Sequence, residues 1–257
     1  RVRATIWTLT GLFLLALVAL LLAAARPMAV ITLPSEQQTI VLAMDVSGSM
    51  RATDVEPDRL TAAQNAAKAF IAELPRHVRV GIVAFAGSAQ LAQLPTQSHE
   101  DLVKAIDSFQ LQRGTATGNG IMLALATLFP NAGIDIAALG ERQAMRPRSL
   151  DEVTRQDPAK TFTPVAPGSY NSAAIIMLTD GQRTTGVDPL EAAQWAADRG
   201  VRVYTVGVGT VQGETIGFEG WSMRVRLDEE TLKAVALRTQ AEYFHAATAA
   251  DLKKVYE

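Results

Sequence analysis

The alternation of short apolar runs with helix-forming segments is the feature that most limits how this chain can fold. Runs such as Ile40–Met44 and Ala173–Thr179 are short and apolar throughout, which is typical of strands buried on both faces. Segments such as Arg59–Leu74 instead carry apolar residues at a spacing of three or four, and Pro75 ends this helix. Strands that alternate with helices predict parallel βαβ units, so we expect an α/β fold with a doubly wound, mostly parallel sheet flanked by helices.

The same reasoning assigns the rest of the chain. Further strands are predicted at Val78–Phe85, Ala89–Leu94, Val201–Gly207 and Glu242–Ala246, and further helices at Asp101–Phe109, Gly118–Phe129, Pro189–Arg199, Asp228–Thr239 and from Ala249 to the end. Two segments interrupt the alternation. Residues 131–172 form an irregular insertion, which is typical of a functional or a disordered loop. Residues 213–227, which glycines break, predict a hairpin.

The residues from Ala4 to Ala25 carry no charge, and Arg1, Arg3 and Arg26 flank them. At about 1.5 Å per residue, a helix of this length crosses a hydrocarbon layer of roughly 30 Å. The run is apolar on all faces, unlike a core helix that buries one stripe. A cleaved signal peptide is the alternative, because Ala23–Ala25 resembles a small-residue cleavage site. We favour one transmembrane helix.

Composition narrows the classes of function. The chain has no cysteine, which excludes disulfides and thiolate metal sites. The formal net charge is −2 and three basic residues flank the apolar run, so the remainder is more acidic and is not expected to bind nucleic acid. No Gly-x-x-x-x-Gly-Lys loop or Gly-x-Ser-x-Gly motif occurs, so we expect no enzyme and no small-molecule substrate. The expected organisation is an anchor and linker at 1–37 and a domain at 38–257 that contains the insertion at about 131–172.

The segment after the first strand carries three small oxygen-bearing side chains. Asp45, Ser47 and Ser49 stand at alternate positions, and Gly48 would permit a tight turn between the serines. Such a loop can direct all three side chains toward one point. Taken alone, the loop has an alternative interpretation, a strand-end turn held by aspartate and serine hydrogen bonds.

Two later loops add oxygen-bearing side chains. Thr115 and Thr117 open a helix, and Asp180 with Gly181 ends a strand. Ligands of doubly wound sheets bind beyond the carboxyl ends of the strands, so we expect Asp45 and Asp180 on one rim. Hydroxyl and carboxylate oxygens together are suited to Mg²⁺.

In this order and on these elements, the three loops resemble the metal ion-dependent adhesion site of von Willebrand factor A domains, over roughly residues 38–257. The resemblance implies a Rossmann-like fold that binds Mg²⁺, with Mn²⁺ as the alternative. It implies hydroxyl ligands at Ser47, Ser49 and Thr115, water-mediated contacts from Asp45 and Asp180, and secondary roles for Thr117, Gly48 and Gly181. Thr117 is the alternative to Thr115, because the family's threonine lies in such a Thr-x-Thr-Gly run. A Glu or Asp carboxylate of a partner protein would complete the coordination.

The phrases Val83–Gly87, Thr179–Gly181 and Tyr204–Gly209 resemble the aerotolerance (Bat) group of bacterial membrane proteins. This resemblance implies partnership with a MoxR-type AAA+ ATPase and with other membrane proteins that carry the same domain. Two arginines precede the apolar run and one follows it, which favours a domain on the periplasmic side of the bacterial inner membrane.

Two other functions remain as alternatives. In one, the metal is purely structural and the domain is a scaffold. In the other, the chain is a magnesium-dependent phosphotransferase of the haloacid dehalogenase type. That enzyme class needs a second carboxylate two residues after the first aspartate, and Ser47 occupies this position.

Overall fold

The computed structural model describes residues 7, 11–16, 38–134, 163–218 and 221–245. The chain separates into two units, Arg1–Glu36 and Gln37–Glu257. In the first unit residues 11–16 are helical. Within the described residues, no helix combines the length and the apolarity that a membrane crossing requires. Most of the apolar run predicted as the transmembrane helix lies outside the described residues.

The second unit contains a six-stranded sheet and a separate two-stranded hairpin. The strands are β1 (Thr39–Asp45), β2 (Arg79–Phe85), β3 (Ala89–Thr96), β4 (Ala173–Thr179), β5 (Arg202–Gly207), β6 (Glu214–Phe218), β7 (Trp221–Val225) and β8 (Tyr243–His245). The order in the large sheet is β3-β2-β1-β4-β5-β8, and every neighbouring pair is parallel except β2 and β3. This confirms the predicted mostly parallel sheet, and β6 with β7 forms the predicted hairpin.

Five helices and one 3₁₀ turn connect the strands in the described part of this unit. The turn spans Gly48–Arg51, and the helices are α1 (Arg59–Glu73), α2 (His99–Asp107), α3 (Thr117–Leu128), α4 (Pro189–Asp198) and α5 (Glu229–Arg238). Four of the helices begin at a side chain that accepts a backbone N–H of the first turn, and these capping residues are Asp58, Ser98, Asp188 and Asp228. Such caps satisfy N–H groups that a helix start leaves without a partner.

The sheet separates two hydrophobic cores. On one face Leu42 packs with Phe70 of α1 and Leu102 of α2. On the other face Val41 packs with Ile121 of α3 and with α4. Successive residues of β1 therefore enter different cores, and this explains why the strand is apolar at almost every position.

The predicted elements and the observed ones agree in type and differ by a few residues at their ends. The helix predicted from Asp101 begins at His99, because Ser98 supplies its cap. The insertion predicted at 131–172 is described only at 131–134 and 163–172, which contain no helix or strand. The helix predicted from Ala249 lies outside the described residues.

Candidate functional site

The loop after β1 folds back on itself. Asp45 is the last residue of the strand and is fully buried, and Ser47 N donates a hydrogen bond of 2.8 Å to Asp45 Oδ1. The 3₁₀ turn that follows returns Ser49 toward Ser47, and their Oγ atoms lie 3.0 Å apart. The aspartate-capped turn considered as the alternative is thus present, and the same turn gathers the three predicted side chains.

Asp180 reaches this loop because β4 lies beside β1 in parallel, with Leu178 paired to Met44. The chain therefore leaves both strands at the same edge of the sheet, as expected for a doubly wound fold. Asp180 is fully buried, and its carboxylate accepts hydrogen bonds from Gln182 N at 3.1 Å and from the side chain of Ser49. The predicted pair of loops is therefore in direct contact.

Thr115 is held against the loop that follows Asp180. Its N–H donates to Thr184 Oγ1 at 2.7 Å, and its carbonyl oxygen accepts from the N–H groups of Thr184 and Thr185. Within the described residues, its hydroxyl forms no hydrogen bond. Thr117, the first residue of α3, instead donates its hydroxyl to the carbonyl oxygen of Gln182 at 3.2 Å. Thr115 is accordingly the better placed of the two threonines to contact a ligand.

All five predicted principal residues lie at this rim and are nearly inaccessible to solvent. Their exposed fractions are 0% for Asp45, 1% for Ser47, 7% for Ser49, 4% for Thr115 and 0% for Asp180. The described residues contain no cluster of three or more His, Asp or Glu side chains arranged to hold a metal. A cation at this rim would meet the carboxylates of Asp45 and Asp180 and the hydroxyls of Ser47, Ser49 and Thr115, which are oxygen donors that suit Mg²⁺.

Burial raises the cost of ionising both carboxylates. Burial, followed by the nearby charge of Asp180, raises the pKa of Asp45 to about 7. Burial also raises the pKa of Asp180, although hydrogen bonds from Ser49 and Gln182 and the charge of Arg59 oppose this. Two acidic groups in one dry site favour either a proton or a cation between them.

Arg59 is a fully buried member of this rim that the sequence analysis missed. Its Nη1 donates to Asp180 Oδ2 at 3.1 Å, while Nε and Nη2 each donate to Asp54 at 2.7 Å. Gly209 makes room for the guanidinium group, because a Cβ atom there would lie 2.6 Å from Arg59 Cζ. A signal was present in the sequence, since a basic residue in the first turn of a helix opposes the helix dipole and needs an acidic partner.

Asp54 links this arginine to the loop after β5. It accepts hydrogen bonds from Thr210 N at 2.9 Å and Thr210 Oγ1 at 2.8 Å. Burial alone would raise its pKa, but the hydrogen bonds from Arg59 and Thr210 outweigh burial and lower the pKa to about 2. Glu214 of the hairpin accepts hydrogen bonds from Thr53, so the hairpin is also fastened beside the rim.

Thr179 and Gly181 complete the hydrogen-bonded frame of the rim. The Thr179 hydroxyl donates to Asp45 Oδ2 at 2.5 Å and accepts from Gly181 N at 3.1 Å. Gly181 has a φ of +80°, and a Cβ there would lie 2.7 Å from the carbonyl oxygen of Asp228. At Gly48, by contrast, a Cβ would lie 3.9 Å from the nearest atom, Gln112 O, and the φ is not left-handed. The turn after β1 therefore does not need a glycine.

Sequence comparison decides the family. A family model of the von Willebrand factor type A domain matches residues 40–182, and a second model of the same domain matches residues 165–257. The chain belongs to the von Willebrand factor type A family. A UPF0353 protein of Mycobacterium leprae is 34% identical over 251 residues, which are 95% of this chain and 66% of that protein. The chain thus spans just under two thirds of that relative.

Solved structures agree with the von Willebrand A fold. An aerotolerance-related membrane protein from Bacteroides fragilis superposes with a TM-score of 0.64 at 23% identity, covering 85% of this chain and 96% of that one. Proximal thread matrix protein 1 from the mussel byssus, with a zinc-occupied metal ion-dependent adhesion site, gives a TM-score of 0.52 at 20% identity, covering 85% and 43%. At these identities both structures establish the fold alone.

Proposed function

We propose that this von Willebrand A domain is a membrane-anchored module that binds a protein partner through a divalent cation. The observation that carries the proposal is the gathering of the five predicted side chains at the carboxyl edge of β1 and β4. Ser47, Ser49 and Thr115 would offer hydroxyl oxygens, and Asp45 and Asp180 would act mostly through water. The bound ion would supply a Lewis acid for an Asp or Glu carboxylate of the partner. The proposal assigns the domain no catalytic step.

Mg²⁺ is the proposed ion, and Mn²⁺ is the alternative. The donor set supports this assignment because all five side chains offer oxygen and none offers nitrogen or sulfur, the donors that favour zinc. The mussel protein with zinc at its adhesion site shows that a domain of this fold accepts a divalent ion. Because Asp45 and Asp180 would act mostly through water, the direct hydroxyl ligands would be neutral and would leave the charge of the ion incompletely neutralised, so a carboxylate of the partner would be a reasonable further ligand.

A purely structural metal is the second candidate function, and hydrogen bonding within the rim weighs against it. Asp45 is already held by Ser47 N and the Thr179 hydroxyl. Asp180 is held by Arg59 and Gln182 N. Because both carboxylates have partners in the protein itself, we expect an ion to enter a preformed site rather than to build the fold.

The cellular setting follows from resemblance and remains part of the proposal. The structural neighbour from Bacteroides fragilis is described as an aerotolerance-related membrane protein. We therefore propose that the apolar run anchors this chain in the bacterial inner membrane with the domain on the periplasmic side. A MoxR-type AAA+ ATPase and other membrane proteins with this domain are the proposed partners.

The test of the site is direct metal binding by the full chain in mild detergent. Mn²⁺ titration followed by electron paramagnetic resonance reports bound metal without needing a partner. We expect one Mn²⁺ per chain, displaced by excess Mg²⁺, and weaker binding in Thr115→Val. Thr117→Val is the matched control, because its hydroxyl is already hydrogen-bonded to Gln182. Equal binding by wild type and Thr115→Val, or no binding by either, would contradict the assignment.

The test of adhesion is capture of partners from solubilised membranes in Mg²⁺ or in EDTA, by wild type and by Asp45→Ala. Metal-dependent adhesion predicts capture only by wild type in Mg²⁺, together with an Asp45→Ala variant that retains its fold. A structural metal predicts instead a large fall in the melting temperature of Asp45→Ala. Identical capture in all four samples would remove the adhesion function.

A further inference from the structure

Arg59 places a positive charge directly against one of the two buried carboxylates of the rim. Its Nη1 donates to Asp180 Oδ2 at 3.1 Å, and both side chains are fully buried. Asp45 is held differently, because its two carboxylate oxygens accept from Ser47 N and from the Thr179 hydroxyl, which are neutral donors. The two carboxylates of the proposed site are therefore held by partners of different charge.

The guanidinium group of Arg59 is fixed from several directions. Its Nε and Nη2 each donate to Asp54 at 2.7 Å, and Nη2 lies 3.5 Å from the carbonyl oxygen of Val225 in β7. The backbone is anchored as well, since Arg59 N donates to the carbonyl oxygen of Ala52 at 2.9 Å. The residue has no exposed surface, so its side chain cannot turn away from Asp180 without breaking these contacts.

Both carboxylate oxygens of Asp180 are already bound by the protein. Oδ2 accepts from Arg59, Oδ1 accepts from Gln182 N at 3.1 Å, and the side chain of Ser49 donates a further hydrogen bond. For Asp180 to bind an ion directly, the ion must come next to the guanidinium group or displace it. Repulsion between like charges opposes the first arrangement, and the second removes one of the two carboxylate partners of a buried cation.

The contact with Arg59 therefore favours a water-mediated role for Asp180. The direct ligands would then be the neutral hydroxyls of Ser47, Ser49 and Thr115, and the charge of the ion would be incompletely neutralised. An ion in this state attracts a further carboxylate more strongly than an ion that already has a carboxylate ligand from the domain. The same contact would thus lower the affinity of the domain for the ion and raise the affinity of the bound ion for a partner.

We propose that Arg59 is a positioning residue of the metal site, which keeps Asp180 out of direct contact with the ion and so preserves the attraction of the ion for a carboxylate of the partner. This inference rests on the proposed function, because it concerns the same ion and the same partner. A residue that only stabilised the fold would, when replaced, weaken the binding of ion and carboxylate alike. A positioning residue predicts opposite changes in the two affinities.

The first measurement is Mn²⁺ binding by the full chain in mild detergent, followed by electron paramagnetic resonance. Arg59→Met removes the positive charge beside Asp180, so we expect Mn²⁺ to bind on the order of tenfold more tightly than in wild type. Arg59→Lys keeps a positive charge there, so its Mn²⁺ affinity should stay within about threefold of wild type. Thr179→Val is the matched comparison, because it removes a neutral donor from Asp45 and is expected to weaken Mn²⁺ binding.

The second measurement is the binding of acetate, a simple carboxylate, to Mn²⁺ held by the chain. With the chain in excess over Mn²⁺, the relaxation rate of the acetate methyl protons reports acetate bound at the ion. We expect Arg59→Met to bind acetate on the order of tenfold more weakly than wild type, because the released Asp180 carboxylate then binds the ion.

The double variant Arg59→Met/Asp54→Asn identifies the competing carboxylate. It removes the charge of Asp54 that Arg59→Met leaves without its partner, so it is also expected to fold more stably than the single variant. Tighter Mn²⁺ binding and weaker acetate binding should both persist in the double variant, since Asp180 is still released. Circular dichroism verifies that each variant is folded. Loss of the two effects in the double variant would assign them to Asp54 and overturn the inference.

The outcomes separate this inference from the proposed function. If wild type binds Mn²⁺ and acetate but Arg59→Met binds both more weakly, or both equally well, Arg59 only stabilises the fold and the inference is overturned while metal-dependent adhesion stands. Tighter Mn²⁺ binding with unchanged acetate binding also overturns it, because Asp180 then does not compete with the partner. If wild type binds no Mn²⁺, or binds Mn²⁺ but no acetate, the proposed function itself is refuted.

Discussion

Arg59 is the residue whose replacement most directly tests the electrostatics of the rim. The guanidinium group lies fully buried between Asp54, which is 9% exposed, and Asp180, which is fully buried. Arg59→Met keeps an unbranched side chain of similar length while removing the charge and all four hydrogen bonds that the group donates. The change therefore isolates the ion pairs from the packing of the side chain.

The expected loss follows from the two carboxylates left behind. Breaking a buried ion pair by removal of one partner costs about 3–5 kcal/mol, because the remaining charge loses its compensation. Asp180 retains hydrogen bonds from Ser49 and Gln182, and Asp54 retains those from Thr210. We therefore expect a decrease of about 3 kcal/mol in the free energy of unfolding, at the lower end of that range. Arg59→Lys keeps a positive charge but loses the two parallel hydrogen bonds to Asp54, so its free energy of unfolding should lie between those of wild type and Arg59→Met.

Urea unfolding of the full chain in mild detergent, followed by circular dichroism, measures this loss. The double variant Arg59→Met/Asp54→Asn is the control. Removing the negative charge of Asp54, which Arg59→Met leaves without its partner, should restore about 1–2 kcal/mol of the free energy of unfolding relative to Arg59→Met alone. Excess Mg²⁺ should also restore part of the loss if a cation binds beside Asp180. An Arg59→Met protein within about 1 kcal/mol of wild type, or strict additivity in the double variant, would refute the reasoning.

Three further predictions follow from contacts at the same rim. The pKa of Asp54 is lowered from an ordinary value of 3.8 to about 2 in the folded protein. Its ionisation therefore stabilises the fold above pH 3.8, and this contribution disappears as pH falls toward 2. The variant Asp54→Asn should accordingly flatten the dependence of the urea midpoint on pH between about 5 and about 2. Gly181→Ala should cost about 1–3 kcal/mol in urea unfolding because of its left-handed φ and the close Asp228 oxygen, whereas the matched control Gly48→Ala should stay within about 0.5 kcal/mol. Thr179→Val removes the hydroxyl that positions the β1 carboxylate and should weaken Mn²⁺ binding by about 10- to 100-fold, and an unchanged Mn²⁺ titration would show that this hydroxyl does not support the metal site.

The hairpin formed by β6 and β7 shows what the local sequence can and cannot predict. The glycine-broken segment at 213–227 predicts two strands, and β6 pairs with β7 in the expected antiparallel way. Nothing local indicates that Glu214 fastens this hairpin to Thr53, because these residues are 161 positions apart. The formation of the hairpin can therefore be predicted from its own sequence, whereas its attachment beside the rim depends on the packing of the whole domain.

The order and type of the elements follow from the sequence alone, because hydrophobic periodicity reports which face of each segment is buried. The same is true of the positions of Asp45 and Asp180 at one edge, since parallel strands direct their carboxyl ends together. Only the tertiary structure decides that Arg59 pairs with Asp180, 121 positions away, and that the Thr117 hydroxyl is occupied while that of Thr115 is not. The hydrogen-bond partner of a buried polar group depends on which distant segments pack together in the folded protein. Local sequence patterns do not determine that packing.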